Sequence, residues 1–327
     1  MVFLHCKYAN HTVYIWTKKM IGKNLIRGLL TLSLILLYGC TSTHELTVAS
    51  YNVRYDNHSD SIEGNGWKQR FPIITQLILY HDIEIFGAQE VLHHMLNDML
   101  DHLPGYSYIG VGRDDGISKG EYAPIFYKND RLELLHSGNF WLSENSDYPN
   151  KGWDAALPRI CTWGEFKEKK SHLRFYFFNL HLDHRGVVAR DESAKLVLRK
   201  IEEMCGNDPV ILAGDFNVDQ TNNTYLILAH SEILKDAYEA AGLRFALNGT
   251  FNAFNPDLKT ESRIDHLFVS PFFQVDKYGV LTDTYHTKVN DTIIRSSNFP
   301  KEVSLMDYVA RTPSDHFPVK VNLSFRK

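Results

Sequence analysis

Hydrophobic and polar positions along this chain follow two periods. Runs rich in β-branched and aromatic residues, each of strand length, recur at 46–53, 83–89, 106–111, 123–127, 132–140, 161–167, 175–182, 210–217, 264–269 and 319–325. Between some of them apolar residues return at helical intervals, over Trp67–Tyr80, Val91–Leu103, Val187–Cys205, and Thr224–Ala229 continuing into Leu234–Ala241. Several strand-to-strand steps carry no helix. That favours a layered α/β domain, two mixed sheets face to face with helices outside, over a purely parallel doubly wound sheet. No repeat, low-complexity stretch or proline-rich linker interrupts the chain after Leu46, so one domain is expected from there to the end.

One of these runs, Ile211–Asp219, reads ILAGDFNVD and ends in an acid and an amide two residues apart. Strand side chains alternate, so Asp215 and Asn217 share a side and Phe216 turns away into packing. Polar residues stand at comparable strand ends elsewhere: Asn52, Glu90, His181, Asp265, and the pair Asp315-His316. Each alone has a plain structural reading, such as a turn residue for Asn52, a first-turn helix acid for Glu90, or an Asx turn for Asp215. Together they supply carboxylates, amides and imidazoles, with no G-x-S-x-G nucleophile and no phosphate-cradling glycine loop. Oxygen donors of this kind suit Mg²⁺, Mn²⁺ or Ca²⁺ better than zinc, and such ions serve phosphoryl chemistry. The residues point to a metal-assisted phosphoesterase.

Six stretches in order, Ser50-Tyr51-Asn52-Val53-Arg54, Gly87-Ala88-Gln89-Glu90-Val91, Asn179-Leu180-His181-Leu182-Asp183, Ala213-Gly214-Asp215-Phe216-Asn217, Arg263-Ile264-Asp265-His266 and Ser314-Asp315-His316-Phe317-Pro318-Val319, resemble the endonuclease/exonuclease/phosphatase superfamily. The resemblance covers nearly all of residues 46–325 and implies a four-layer α/β/β/α sandwich with the site at the joined strand ends. It further implies Mg²⁺, with Mn²⁺ or Ca²⁺ as substitutes, held by Glu90 with Asn52 beside it and Asp315 able to share or add an ion. Asp215 would orient or deprotonate water, Asn217 would hold that water or a phosphate oxygen, and His181 and His316 would contact the phosphate. Each imidazole would need a carboxylate to raise its pKa: Asp265 for His316 and, by the deoxyribonuclease-like pattern, Glu121 for His181. Arg159 and, more weakly, Arg113 are phosphate-binding candidates, against the plainer reading of ordinary ion pairs.

Charge and the N-terminus change the picture in two ways. With 35 Lys+Arg against 39 Asp+Glu the net charge is −4, so no overall basic field collects nucleic acid, and the densest basic stretch, Lys167–Lys170, is a short turn carrying its own acid. That leans towards a small phosphorylated substrate such as a sugar or inositol phosphate or a head group. A secreted nuclease is the alternative, and a catalytically dead binding protein a third reading. Met20 opens a well-formed signal: Lys23 and Arg27, an apolar run over Gly28–Leu37, then Tyr38-Gly39-Cys40. Leu37–Cys40 resembles a bacterial lipoprotein cleavage box, against the alternative of an uncleaved anchor. We expect a mis-assigned upstream extension over 1–19, a signal peptide over 20–39, a linker over 40–45 lipidated on Cys40, and the catalytic domain over 46–327. The protein would then be an exported monomer in the periplasm or at the cell surface, lipid-anchored to a bacterial membrane, with no protein partner implied. Cys161 and Cys205 are either a pair or two buried thiols.

Overall fold

The structure is a computed structural model, and it describes residues 43–294 and 300–326. Strand β1 (Thr43–Asn52) begins inside the expected linker, where Thr43, His44 and Glu45 already pair with the last strand. Cys40 and the signal segment lie outside the described residues. The remaining elements are α1 (His58–Ile62), α2 (Trp67–Tyr80), β2 (Ile85–Gln89), α3 (His93–His102), β3 (Tyr106–Ile109), β4 (Ile125–Lys128), β5 (Leu132–Trp141), β6 (Ile160–Glu168), β7 (Arg174–His181), α4 (Val187–Cys205), β8 (Val210–Asp215), α5 (Asn223–Ala229), β9 (Lys235–Asp236), α6 (Ala237–Ala240), β10 (Leu243–Phe245), β11 (Asp265–Val269), β12 (Gln274–Val280), β13 (Tyr285–Ile294), β14 (Leu305–Arg311) and β15 (Val319–Arg326).

They form a seven-stranded sheet, β10-β12-β15-β1-β2-β4-β3, and a six-stranded sheet, β5-β6-β7-β8-β11-β9. Period-2 alternation decides what each face touches. Leu46, Val48, Ile85, Phe175, Phe177, Ile211, Leu267 and Val319 fill the space between the sheets. Their neighbours Ala49, Tyr51, Phe86 and Ala88 turn outward under α2 and α3. On the other sheet Phe178, Leu180, Leu212, Phe216 and Phe268 turn outward under α4 and α5. This is the expected four-layer α/β/β/α sandwich. Cys161 and Cys205 are buried free thiols in the last of these cores.

The helix expected over Leu234–Ala241 is instead a strand residue pair and one helical turn. Asp236 caps that turn by accepting from Tyr238 N (3.0 Å), while Lys235 and Asp236 pair with β11. The ribbon β13–β14 had no readable signature, because Val289, Leu305, Tyr308 and Val309 are exposed and leave no apolar face to alternate. β12 was likewise missed, its exposed Gln274 and Lys277 breaking the run.

Candidate active site

The downstream ends of β1, β2, β7 and β8 and the upstream ends of β11 and β15 meet at one end of the sandwich. Ladder partners show it: Asn52 lies beside Gln89, His181 beside Asp215, and Asp215 beside Asp265. The inward stripe of each strand changes character as it approaches that end. Leu46 and Val48 give way to Ser50 and Asn52, Phe175 and Phe177 to Asn179 and His181, Ile211 and Ala213 to Asp215. A girdle of amides closes off the apolar core below. Gln89 Nε2 donates to Asn179 Oδ1 (2.7 Å) and Ser50 Oγ (3.2 Å), and Asn179 Nδ2 donates to the carbonyls of Ala88 (2.7 Å) and Pro124 (2.8 Å). Gly87 is required here, since a Cβ would lie 2.3 Å from Asn179 Oδ1. Sequence reading assigned no role to Gln89 or Asn179, although both stand in the quoted stretches.

Above the girdle, Asp215 Oδ2 is the hub. It accepts from Asn52 Nδ2 (2.9 Å) and lies 3.5 Å from His181 Nε2 and 3.9 Å from His316 Nε2. Asn52 Nδ2 also donates to Glu90 Oε1 (3.0 Å), while its Oδ1 accepts from Arg54 N (3.0 Å). So oriented, Asn52 joins Glu90 to Asp215 across the two sheets. Glu90, His181 and Asp215 offer ligand atoms within 4.8 Å of one another, as do Asp215, Asp265 and His316; Asp315 belongs to neither group and faces Arg54 Nη1 at 3.4 Å. Arg54, Glu90 and Asn217 have φ of 57°, 62° and 52°, a left-handed backbone that costs about 1–3 kcal/mol per non-glycine residue. Hydrogen bonds hold these conformations: Tyr55 N donates to Glu90 Oε2 (3.1 Å) and Asn217 N to Asp215 Oδ1 (2.9 Å). The turn at Asn217 also ends β8 earlier than its apolar run implies.

The two imidazoles differ. His316 Nδ1 meets Asp265 Oδ2 at 2.8 Å, and although burial pulls its pKa down, Asp265, then Asp215 and Asp315, hold it well above the usual value. His181 was expected to be raised by Glu121. It is instead held well below its usual value by burial, then by Arg159 and Arg113. Glu121 stands 3.8 Å from His181 Nδ1, beyond hydrogen-bond reach, because Arg113 grips both its oxygens at 2.6 and 2.9 Å. Asn217 Nδ2 donates to His181 Nε2 (3.0 Å) and to the Leu182 carbonyl (3.0 Å), which leaves the ring proton on Nδ1 without a partner. Burial pushes Asp215 up to about 7, aided by the charge of Asp265 and opposed by His316 and Asn52.

The site opens into a cleft of about 410 Å³ whose lining includes Arg54, Glu90, Arg159, His181, Asp215, Asn217, Asp315 and His316. Arg159 is buried, with Nε on Asp183 Oδ2 (3.2 Å), Nη2 on His184 Nδ1 (2.9 Å), and Nη1 without a partner. Arg113, expected to contact phosphate, is committed to Glu121 and does not line the cleft. Asp183 accepts from the Arg185 (3.0 Å) and Gly186 (2.8 Å) amides and so builds the turn that carries His184. Arg54, Tyr55 and Phe251 line the cleft without having been singled out; Phe251 sets its ring edge-on to His316, centroids 5.1 Å apart. Phe140, Trp141 and Leu142, at the end of β5, are core and not cleft lining.

Comparison with known proteins adds the following. The profile described as "Endonuclease/Exonuclease/phosphatase family" matches residues 49–316. A solved protein of that family from Bacteroides thetaiotaomicron is 55% identical, with a TM-score of 0.81 covering 88% of this chain and 100% of its own. A mannosyl-6-phosphatase from Bacteroides thetaiotaomicron VPI-5482 is 56% identical, with a TM-score of 0.79 covering 86% of this chain and 100% of its own. An uncharacterized protein of Acanthamoeba polyphaga mimivirus is 27% identical over 289 residues, 84% of this chain and 99% of that protein.

Proposed function

Because this chain belongs to the endonuclease/exonuclease/phosphatase family and so is a hydrolase of phosphoester bonds, we propose that it removes phosphate from a small sugar phosphomonoester, a hexose 6-phosphate of the mannosyl kind, with Mg²⁺ as its cation. The observation that carries this reading is the cleft itself. At about 410 Å³ it has the size of a small-molecule pocket, and Arg159, which lines it beside Glu90, Asp215 and Asp315, keeps Nη1 without a hydrogen-bond partner. The 56% identity to a mannosyl-6-phosphatase over 86% of the chain supports a sugar phosphate in particular. The net charge of −4, and the fact that none of Lys167–Lys170 lines the cleft, argue against a track for nucleic acid.

The site fits a divalent cation of the hard kind. The buried Asp215 carboxyl is pushed up to about 7, by burial first and then by the charge of Asp265, so a cation bound beside it would offset both. Glu90 and Asp215 would hold the ion, with Asp315 at the rim and the Asn52 amide fixing the first two. Bound there, it would polarise a phosphate oxygen and neutralise charge. Asp215, ionised, would orient a water for attack on phosphorus and take its proton. Asn217, with both amide hydrogens spent on His181 and Leu182, would keep His181 in place and offer Oδ1 to that water. His316, protonated and braced by Asp265, would donate from Nε2 to the developing phosphate charge. Arg159 would bind a phosphate oxygen through Nη1, and Phe251 with Leu157 would face the sugar.

Phosphate release and strand cleavage from a panel of hexose phosphates, inositol phosphates, plasmid DNA and RNA, each with Mg²⁺, test the assignment. Release from hexose 6-phosphates with intact nucleic acid is expected; nicking of plasmid lost in Glu90→Ala would assign a nuclease instead. We also infer export and lipid attachment at Cys40, for which labelling by radioactive palmitate should disappear in Cys40→Ser. A monomer is expected by light scattering. Among the described residues no helix is long and apolar enough to cross a membrane.

A further inference from the structure

A second cavity, of about 550 Å³, opens on the outer face of the six-stranded sheet, where β5, β6 and β7 meet α4. Trp163 on β6 pairs with Phe178 on β7, three residues before His181 and on the face turned away from it. The sheet therefore separates this cavity from the catalytic cleft. Gly138 on β5 lets the indole settle against the strand, since a Cβ there would lie 2.9 Å from the ring. Tyr176 extends the aromatic surface, ring centroids 6.4 Å away.

Around this aromatic floor stand polar groups that the fold does not use up. Glu165 is 2% exposed, and Arg174 takes its Oε1 (2.7 Å from Nε). Its Oε2 accepts no hydrogen bond among the described residues and lies 3.9 Å from His136 Nε2. Asn139 has Oδ1 held by the Thr162 hydroxyl (2.8 Å), which turns its NH₂ group to other partners. Lys200 of α4, its ammonium 3.9 Å from Glu203 Oε2 and with donors to spare, borders the same space. Glu165 lines the cavity, so a ligand that displaces water from this oxygen must donate to it in turn or leave it unpaired at a cost. The ligand must therefore carry hydroxyl donors and acceptors around a face that can lie on an indole. A free phosphate is disfavoured beside Glu165, and a purely apolar ligand would strand it.

We propose that this cavity binds a neutral pyranoside or short glycan, with Trp163 as the stacking platform and Glu165, Asn139, His136 and Lys200 meeting its hydroxyls. The site is independent of the catalytic cleft and does not rest on the substrate assigned there. It would let the enzyme hold a glycan chain while a phosphate is removed elsewhere on it or on a neighbouring chain.

Isothermal titration with methyl α-mannoside, mannotriose, maltotriose and chitotriose tests the proposal. Saturable binding of at least one of them is expected, weakened about tenfold or more in Trp163→Ala by loss of the stacking surface. It should be abolished in Ser146→Trp, which fills the cavity from its rim. Both variants should keep the wild-type rate of phosphate release. Should Trp163→Ala fail to fold, Ser146→Trp still decides, because its side chain adds to the cavity wall without opening the core. No saturable binding of any sugar up to about 50 mM, weaker than a specific site would show, overturns the proposal. So does binding that survives Ser146→Trp, or that inorganic phosphate in the catalytic cleft displaces.

Discussion

His316, just ahead of β15, and Asp265, at the head of β11, come from opposite sheets and meet at 2.8 Å through Nδ1 and Oδ2, both groups buried. The carboxylate fixes the ring so that Nε2 faces the cleft, and it leads the influences that raise the imidazole's pKa against its burial. Asp265→Asn should therefore lower kcat about 10²- to 10⁴-fold with a smaller change in KM, as expected for loss of an oriented proton donor. Steady-state kinetics on a hexose 6-phosphate checks this. An unchanged kcat would remove His316 from the reaction.

The proposed mechanism requires Asp215 ionised and His316 protonated, so kcat/KM should be bell-shaped in pH. The acid limb reflects Asp215, held at about 7 without a cation, and saturating Mg²⁺ should move it to lower pH by stabilising the carboxylate. The alkaline limb reflects His316, whose pKa lies well above its ordinary value, and Asp265→Asn should bring that limb down. A profile flat across both limbs contradicts the assignment.

The buried charge at Asp215 has a stability consequence. Its folded carboxyl titrates near 7 against about 3.9 in an unfolded chain, so the folded state binds more protons between those values and loses stability as pH rises through them. In cation-free protein at pH 8, Asp215→Asn should raise Tm by roughly 2–4 °C while abolishing activity. At pH 5, where the wild-type group carries its proton, the difference should vanish. A variant melting lower at both pH values would show that the carboxylate stabilises the fold.

Arg159 lines the cleft with Nη1 unpartnered, while Asp183 and His184 fix the rest of its guanidinium. Arg159→Ala should raise KM for the sugar phosphate about 10- to 100-fold, the size of one charged hydrogen bond, and Arg159→Lys should not restore it, because a lysine cannot hold Asp183 and reach the phosphate together. An unaltered KM in both variants would remove Arg159 from substrate binding.

The legible parts of this molecule were those governed by period. Alternation along Leu46–Asn52 and Ile211–Asp215 placed their polar ends on the inward face, and the structure brings all of Asn52, Glu90, His181, Asp215, Asn217, Asp265, Asp315 and His316 to one end of the sandwich. What escaped depended on partners distant in sequence. Glu121 does approach His181, but Arg113, eight residues earlier, claims it first, and burial, then the guanidinium groups of Arg159 and Arg113, hold the His181 pKa down where a raised one was expected. Nothing local in the sequence signals the left-handed backbone at Arg54 and Glu90, because that conformation is imposed by hydrogen bonds assembled only on folding. The ribbon β13–β14 escaped for a different reason: with Val289, Leu305, Tyr308 and Val309 exposed, its apolar residues follow no alternation that burial would impose.

The central claim, hydrolysis of a sugar phosphomonoester by the cluster around Glu90 and Asp215, is tested most directly by the rate of inorganic phosphate release from mannose 6-phosphate, with Mg²⁺ and with chelator, in the wild type and in Glu90→Ala. The account predicts release that requires the cation and falls at least about 10³-fold in the variant. Release that persists in Glu90→Ala, or no release by a wild-type enzyme that cleaves another phosphoester in the same Mg²⁺ buffer, would contradict it.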